Sequence, residues 1–220
     1  MNLEILDKKQ RSFLEELSKD AFLKENFYLT GGTALAAFYL GHRYSEDLDF
    51  FSEKEFDTLG VDIFLKKIQP ELDYAKIDFQ KSFNRNLFFL IFDDGRVLKT
   101  EFTFFPFVRI EKAVDQLSLQ VDGLLDIGVN KLFSVYQRTQ ARDYIDLYFI
   151  CREKELTIEE LVKKARLKFD WHIDPLQLGT QFTKAKEASD YPRMIKKIED
   201  SEWQNFFIAE ALKLKGEILI

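Results

Sequence analysis

One stretch, residues 29–51, constrains the fold more than any other: LTGGTALAAFYLGHRYSEDLDFF. A short strand candidate, FYLT at 27–30, runs into Gly31, Gly32 and Thr33, and an apolar helix is expected over about 33–40. A second strand-like run, DLDFF at 47–51, closes it. Side chains alternate along a strand, so Asp47 and Asp49 point to one face and Leu48 and Phe50 to the other. Two carboxylates side by side repel, and in a partly buried place one takes a proton unless positive charge lies between them. A divalent cation supplies that charge, and magnesium favours hard oxygen ligands shared with phosphates. The glycines let backbone approach a ligand closely. A helix N-terminus behind them offers free N–H groups and partial positive charge, which suit a phosphate. Each part alone has a plainer explanation. Gly-Gly-Thr makes an ordinary tight turn with a Thr cap, and Asp47 could serve as a cap. Chance rarely assembles strand, Gly-Gly-Thr, helix and Asp-x-Asp strand in that order.

A third acid strengthens the metal argument. In VLKTEFTFF, Val97, Lys99, Glu101 and Thr103 share one face, while the more apolar Leu98, Thr100, Phe102 and Phe104 should meet the core. Glu101 is then an acid on the accessible face, and pairing with Lys99 is the bland alternative. If this strand neighbours 47–51, three carboxylates converge as in a two-metal phosphoryl-transfer centre.

Around this stretch the first half mixes helices and strands. An amphipathic helix is expected over about 6–23, with Phe13, Leu14 and Leu17 inward. Another is expected over 57–68, with Leu59, Ile63 and Leu65 as its apolar positions and Pro70 ending it. AKIDFQKSF, NLFFLIF and RVLKTEFTFF read as strands separated by the turns NRN and DDG. From about Asp122 the pattern becomes helical, over 124–138, 141–151, 157–168, 174–188 and 201–215. A soft boundary near residue 120 divides an α/β core, 1–120, from a helical domain, 121–220.

With 220 residues, 46% hydrophobic and 15% aromatic, the chain can bury a large core, and its 23 Phe read as packing. Net charge of −6 argues against a broad basic surface for duplex DNA, though not against a local positive cleft. The lone Cys151, between apolar neighbours, reads as a core residue in a reducing, cytoplasmic setting. MNLEILDKKQRSF lacks the apolar run of a signal peptide, and no stretch approaches the roughly 20 apolar residues of a membrane span. LVKKARLKF and PRMIKKIED read as basic helical stretches, either solvated faces or patches for nucleic acid. His42 reads as a surface-loop residue and His172, beside Trp171, as packing.

GGTALAAFYLGHRYSEDLDFF resembles the signature of the nucleotidyltransferase superfamily related to DNA polymerase beta. More narrowly it resembles the AbiEii/AbiGii family, toxins of type IV toxin–antitoxin systems. There a Gly-Gly-Thr or Gly-Gly-Ser turn precedes a helix and an Arg-x-Ser-x-Asp-Leu-Asp run, matched here by Arg43, Ser45, Asp47, Leu48 and Asp49. The wider superfamily more often shows Gly-Ser and a shorter spacer than the 13 residues between Thr33 and Asp47. The resemblance implies an α+β fold: a nucleotidyltransferase mixed sheet with flanking helices, followed by an all-helical C-terminal half.

The family's second motif falls in NKLFSVYQRTQARDYIDLYFI, with Lys131, Arg138, Arg142, Asp143 and Asp146. On a nearly continuous helix at ~100° per residue, Arg138 and Arg142 each lie about 20° from Lys131, forming one cationic stripe. Asp146 is one turn beyond Arg142 and within pairing reach, while Asp143 lies on another face. Read without the family, this is a charged face with an internal ion pair. By resemblance, Lys131 reaches nucleotide phosphates, and Arg142, Asp143 and Asp146 form an Arg-Asp-x-x-Asp element. The resemblance extends to about residue 150. It implies transfer of a nucleoside monophosphate from a nucleoside triphosphate, with Asp47, Asp49 and Glu101 holding two magnesium ions, for which manganese may substitute. Gly32, Thr33 and Lys131 would hold the triphosphate. It further implies an RNA acceptor, such as a transfer-RNA end, and a neutralising antitoxin. A small-molecule acceptor such as an antibiotic hydroxyl, or nucleotide binding without turnover, remains an alternative.

Overall fold

The computed structural model describes residues 3–218. Met1 and Asn2, part of the segment read for a leader, lie outside the described residues. A seven-stranded mixed sheet forms the frame, in the order β3-β4-β5-β2-β1-β7-β6. Its strands are β1 (Tyr28–Thr30), β2 (Leu48–Ser52), β3 (Lys76–Ser82), β4 (Arg85–Ile91), β5 (Val97–Phe104), β6 (Val114–Gln116) and β7 (Leu119–Val121). The helices are α1 (Lys8–Lys19), α2 (Ala21–Asn26), α3 (Gly31–Ala34), α4 (Leu59–Leu72), α5 (Leu124–Gln137), α6 (Ala141–Glu153), α7 (Ile158–Phe169), α8 (Pro175–Thr183) and α9 (Asp200–Ile218). Strands β2 and β5 run parallel, as do β1 and β7; the remaining neighbours are antiparallel.

Helices α1, α2 and α4 cover one face of the sheet. Phe13 of α1 meets Phe64 of α4 edge-on at 5.7 Å and Phe50 of β2 at 6.1 Å. Phe50 stacks on Phe102 of β5 at 5.0 Å. Leu48, Phe50, Leu98, Thr100 and Phe102 are all buried on this side, as the strand alternation requires. The opposite face carries the acids and looks towards α5.

The expected helix over 6–23 is two helices. Asp20 closes α1 and opens α2, its side chain accepting from the Leu23 N–H. In α4 the inward positions are Val61, Phe64, Leu65 and Ile68, while Leu59 and Ile63 are 60% and 58% exposed. Pro70 sits inside the last turn instead of ending the helix. The expected apolar helix over 33–40 is one turn of α-helix, α3, continuing as a wider π-helical turn over Leu35–Leu40. The three-residue strands β6 and β7 are too short to leave a periodic signature, and β7 pairs with β1 at the sheet's far end. PRMIKKIED is not helical: an irregular segment there bridges Met194 to Arg43. One continuous hydrophobic core runs from Leu6 to Leu214.

Candidate active site

The floor of the site follows from register. β2 and β5 pair in parallel with Asp49 opposite Glu101, and β1 places Thr30 opposite Asp49 on the other side. Adjacent residues in register share a face, so the two acids stand side by side. Asp47 just precedes β2. Its Oδ2 accepts from Lys99 Nζ at 2.6 Å. Glu101 accepts from Arg85 Nε at 2.7 Å and Nη2 at 2.6 Å, and from Thr103 Oγ1 at 2.7 Å. Glu101 is therefore not the accessible acid that the strand pattern suggests. It lies on the expected face, but Arg85 from β4 covers it and leaves it 4% exposed.

Asp49 accepts no hydrogen bond or ion pair from any described side chain. Burial, then the Glu101 and Asp47 carboxylates beside it, raise its pKa to about 6; Lys99 and Lys131 oppose this only partly. Burial also pushes Glu101 upward, but the hydrogen bonds from Arg85 and Thr103 more than offset it and its pKa is lowered. Among the described residues no three His, Cys, Asp or Glu side chains form a ready metal cage. Asp47 is turned to Lys99 and Glu101 to Arg85. The donor set still fits a hard divalent cation: three carboxylates on neighbouring strands, the central one short of positive charge.

The two glycines are required by what surrounds them. Gly31 has φ of +73°, and a Cβ there would lie 2.5 Å from Asp49 Oδ2. A Cβ on Gly32 would lie 2.4 Å from Arg43 Nη2 and 3.1 Å from Ser45 Oγ. The turn thus runs directly against the acid and against the Arg-x-Ser segment. Thr33 is wholly buried and does not line the groove. Its hydroxyl donates to the Asp47 carbonyl, so it positions the acid-bearing segment instead of facing a ligand. Gln10 of α1 donates to the Ser45 carbonyl at 2.8 Å and anchors the same segment.

The second cluster departs from the expected stripe. The chain leaves helical geometry from Arg138 to Gln140, between α5 and α6, so Lys131, Arg138 and Arg142 do not share a straight axis. Asp146 does not pair with Arg142. It is fully buried and accepts from Arg43 Nε at 2.6 Å and Nη2 at 2.8 Å, from Lys131 Nζ at 2.7 Å and from His42 Nε2 at 2.8 Å. Burial alone would raise its pKa; Arg43 and Lys131, with His42, hold it well below the usual carboxylate range. Asp143 takes Lys131 at 2.9 Å and Arg138 at 2.9 Å. His42 is wholly buried instead of lying on a surface loop, and burial lowers its pKa despite Asp146. His172 is exposed instead of packed. Arg142 is exposed, with Gln140 as its only hydrogen-bond partner among the described residues.

The acids, glycines and cations line one groove of about 570 Å³. Gly31, Gly32, Arg43, Ser45, Asp47, Asp49, Glu101, Lys131, Arg138, Arg142 and Asp143 all reach it; Thr33 and Asp146 support it from behind. Sequence reasoning missed Arg85, Lys99, Asn130, Asp190 and Tyr191 as lining residues, while Pro192 and Arg193 belong to the basic stretch PRMIKKIED. Lys99 and Arg85 could have been flagged as cations on the acid-bearing face of a strand. The place of residues 190–193 beside the groove has no local signal, because it depends on the Tyr44 N–H donating to the Arg193 carbonyl across the chain. The groove's seven Lys and Arg against six acids leave one net positive charge, in a molecule whose net charge is −6.

Solved structures give the same fold. JHP933 of Helicobacter pylori superposes with a TM-score of 0.61 at 19% identity, covering 96% of this chain and 90% of that one. A putative nucleotidyltransferase of the same organism gives 0.62 at 19% identity, covering 96% and 93%. This mixed sheet with flanking helices is a nucleotidyltransferase fold. An uncharacterised protein of Aquifex aeolicus is 31% identical over 170 residues, 74% of this chain and 76% of its own length. The profile described as nucleotidyl transferase AbiEii toxin, type IV toxin–antitoxin system, matches residues 12–211, and the chain belongs to that family.

Proposed function

We propose that the protein transfers a nucleoside monophosphate from a nucleoside triphosphate to a hydroxyl on RNA, releasing pyrophosphate, as the toxin of a type IV pair. The observation that carries this reading is the in-register placement of Asp49 beside Glu101, with Asp47 close by, on the floor of a groove walled by cations. Asp47, Asp49 and Glu101 would hold divalent cations, two magnesium ions in the full reading, with manganese as a substitute. Such ions supply the positive charge that offsets the clustered acids and the charge developing on the transferred phosphoryl group.

The protein's own residues align the reactants. Gly31 brings backbone against Asp49, and Gly32 against Arg43 and Ser45, without side-chain bulk. Arg142 and Arg193 are groove cations with no carboxylate partner among the described residues, and they suit the phosphates. Lys131 and Arg138 are already matched by Asp143 and Asp146, so their contribution is to hold the wall in shape. The same reading divides the chain into a core, 1–120, and a helical domain, 121–220, with the groove between them. It places the protein in the cytoplasm with an antitoxin partner; no helix among the described residues is long and apolar enough to cross a membrane.

The test is incubation of the purified protein with each labelled triphosphate, total RNA and magnesium. Label should enter RNA, and Asp49→Asn should reduce it roughly 100-fold or more. Label on a small molecule instead would replace RNA as acceptor, and unchanged labelling by Asp49→Asn would remove this site from the reaction.

A further inference from the structure

Beside the acid-lined groove lies a second pocket of about 360 Å³ whose walls are aromatic. Phe51 and Phe105 stand 4.5 Å apart at 30°, and Phe133 and Phe169 stand 4.4 Å apart at 36°. Phe107 meets Phe169 edge-on at 5.0 Å, and Trp171, 57% exposed, forms the rim. These rings are only partly buried, so the pocket is open. No lining residue is charged.

The pocket is continuous with the groove through Phe51, Asn130 and Ser134, which line both. Phe51 follows Asp49 by two residues on the same face of β2, about 7 Å further along the strand. Asn130 lines both spaces, with its side-chain amide tucked beneath their surface. Its nitrogen and oxygen are both out of contact with solvent, and neither has a hydrogen-bond partner among the described residues. Such a group is costly to leave unmet and is normally satisfied by a partner.

We propose that this pocket receives a nucleobase, the unmet Asn130 side chain turning outward to meet its hydrogen-bonding edge. The inference rests on the transferase reading and adds to it the recognition element. A flat, neutral ring with donors and acceptors at its rim meets both requirements of the walls: faces to stack on and an amide to pair. An aliphatic chain would leave Asn130 unpaired. A nucleotide could then lay its phosphates among the groove cations and its base against Phe51. The base could belong to the incoming triphosphate or to the RNA acceptor.

Fluorescence of Trp171 reads the pocket directly, because the only other tryptophan, Trp203, is fully buried. The full-length protein is titrated with the four nucleoside triphosphates, inorganic tripolyphosphate, a short oligoribonucleotide and its abasic counterpart. Base-bearing ligands should quench the signal, and base-free ones should not. Quenching by triphosphates assigns the pocket to the incoming base, and quenching by the oligonucleotide alone assigns it to the acceptor. Asn130→Ala should weaken the base-bearing ligand about tenfold or more and flatten preference among bases, leaving tripolyphosphate unchanged. If Asn130→Ala does not fold, Trp171→Ala, at an exposed position, should show the same loss by calorimetry. Equal binding of base-bearing and base-free ligands, or an equal effect of these substitutions on both, would overturn the proposal. Base-dependent binding without label transfer would sink the transferase reading alone; transfer with base-independent binding would sink only the pocket.

Discussion

Asp49 shows how the site is poised at the scale of one residue. Its pKa of about 6 lies above the ordinary carboxylate value of 3.8, so between those values the folded state holds a proton that the unfolded chain releases. Stability due to this group therefore falls as pH rises from about 4 to about 6 and is flat above. The difference between the wild type and Asp49→Asn in urea unfolding should show that slope, with the variant the more stable at pH 7.5 by about 1–3 kcal/mol. A flat difference would mean that Asp49 is not crowded by its neighbouring acids. A divalent cation bound at this carboxylate favours the ionised form. Magnesium or manganese should accordingly raise Tm more at pH 7.5 than at pH 5, and Asp49→Asn should lose the shift. Equal shifts in both proteins would place the ion elsewhere.

At the scale of elements, the segment after α3 is locked to α6 by a buried ion network. Arg43 forks onto Asp146, which also takes Lys131 and His42. Breaking a buried pair leaves an uncompensated charge, which costs more than the pair contributes. Asp146→Asn should destabilise the protein by about 3 kcal/mol, measured as a lower denaturant midpoint at unchanged slope. A loss below about 0.5 kcal/mol would show that water reaches Arg43 and Lys131. The network also explains why the sequence placed these charges wrongly. Spacing along one helix suggested Arg142 as the partner of Asp146, whereas the partners come from residues 42–43 and from α5.

Across the whole molecule, a single core joins the sheet to the C-terminal helices, with Trp203 and Phe207 of α9 against Tyr144 of α6. Near-ultraviolet and far-ultraviolet signals should therefore lose structure together in one transition. Two separated transitions would show that the halves fold independently. Local pattern was enough to read the four longer strands from β2 to β5, most helices and the Asp49–Glu101 face, because alternation and capping act within a few residues. It was also enough to single out Gly31, Gly32, Asp47 and Asp49, which line one groove. Pairing partners were out of its reach. Arg85 over Glu101, Lys99 on Asp47, Arg193 beside Tyr44 and the aromatic walls near Asn130 join residues far apart in the chain. Long-range packing, not local periodicity, sets which charges meet.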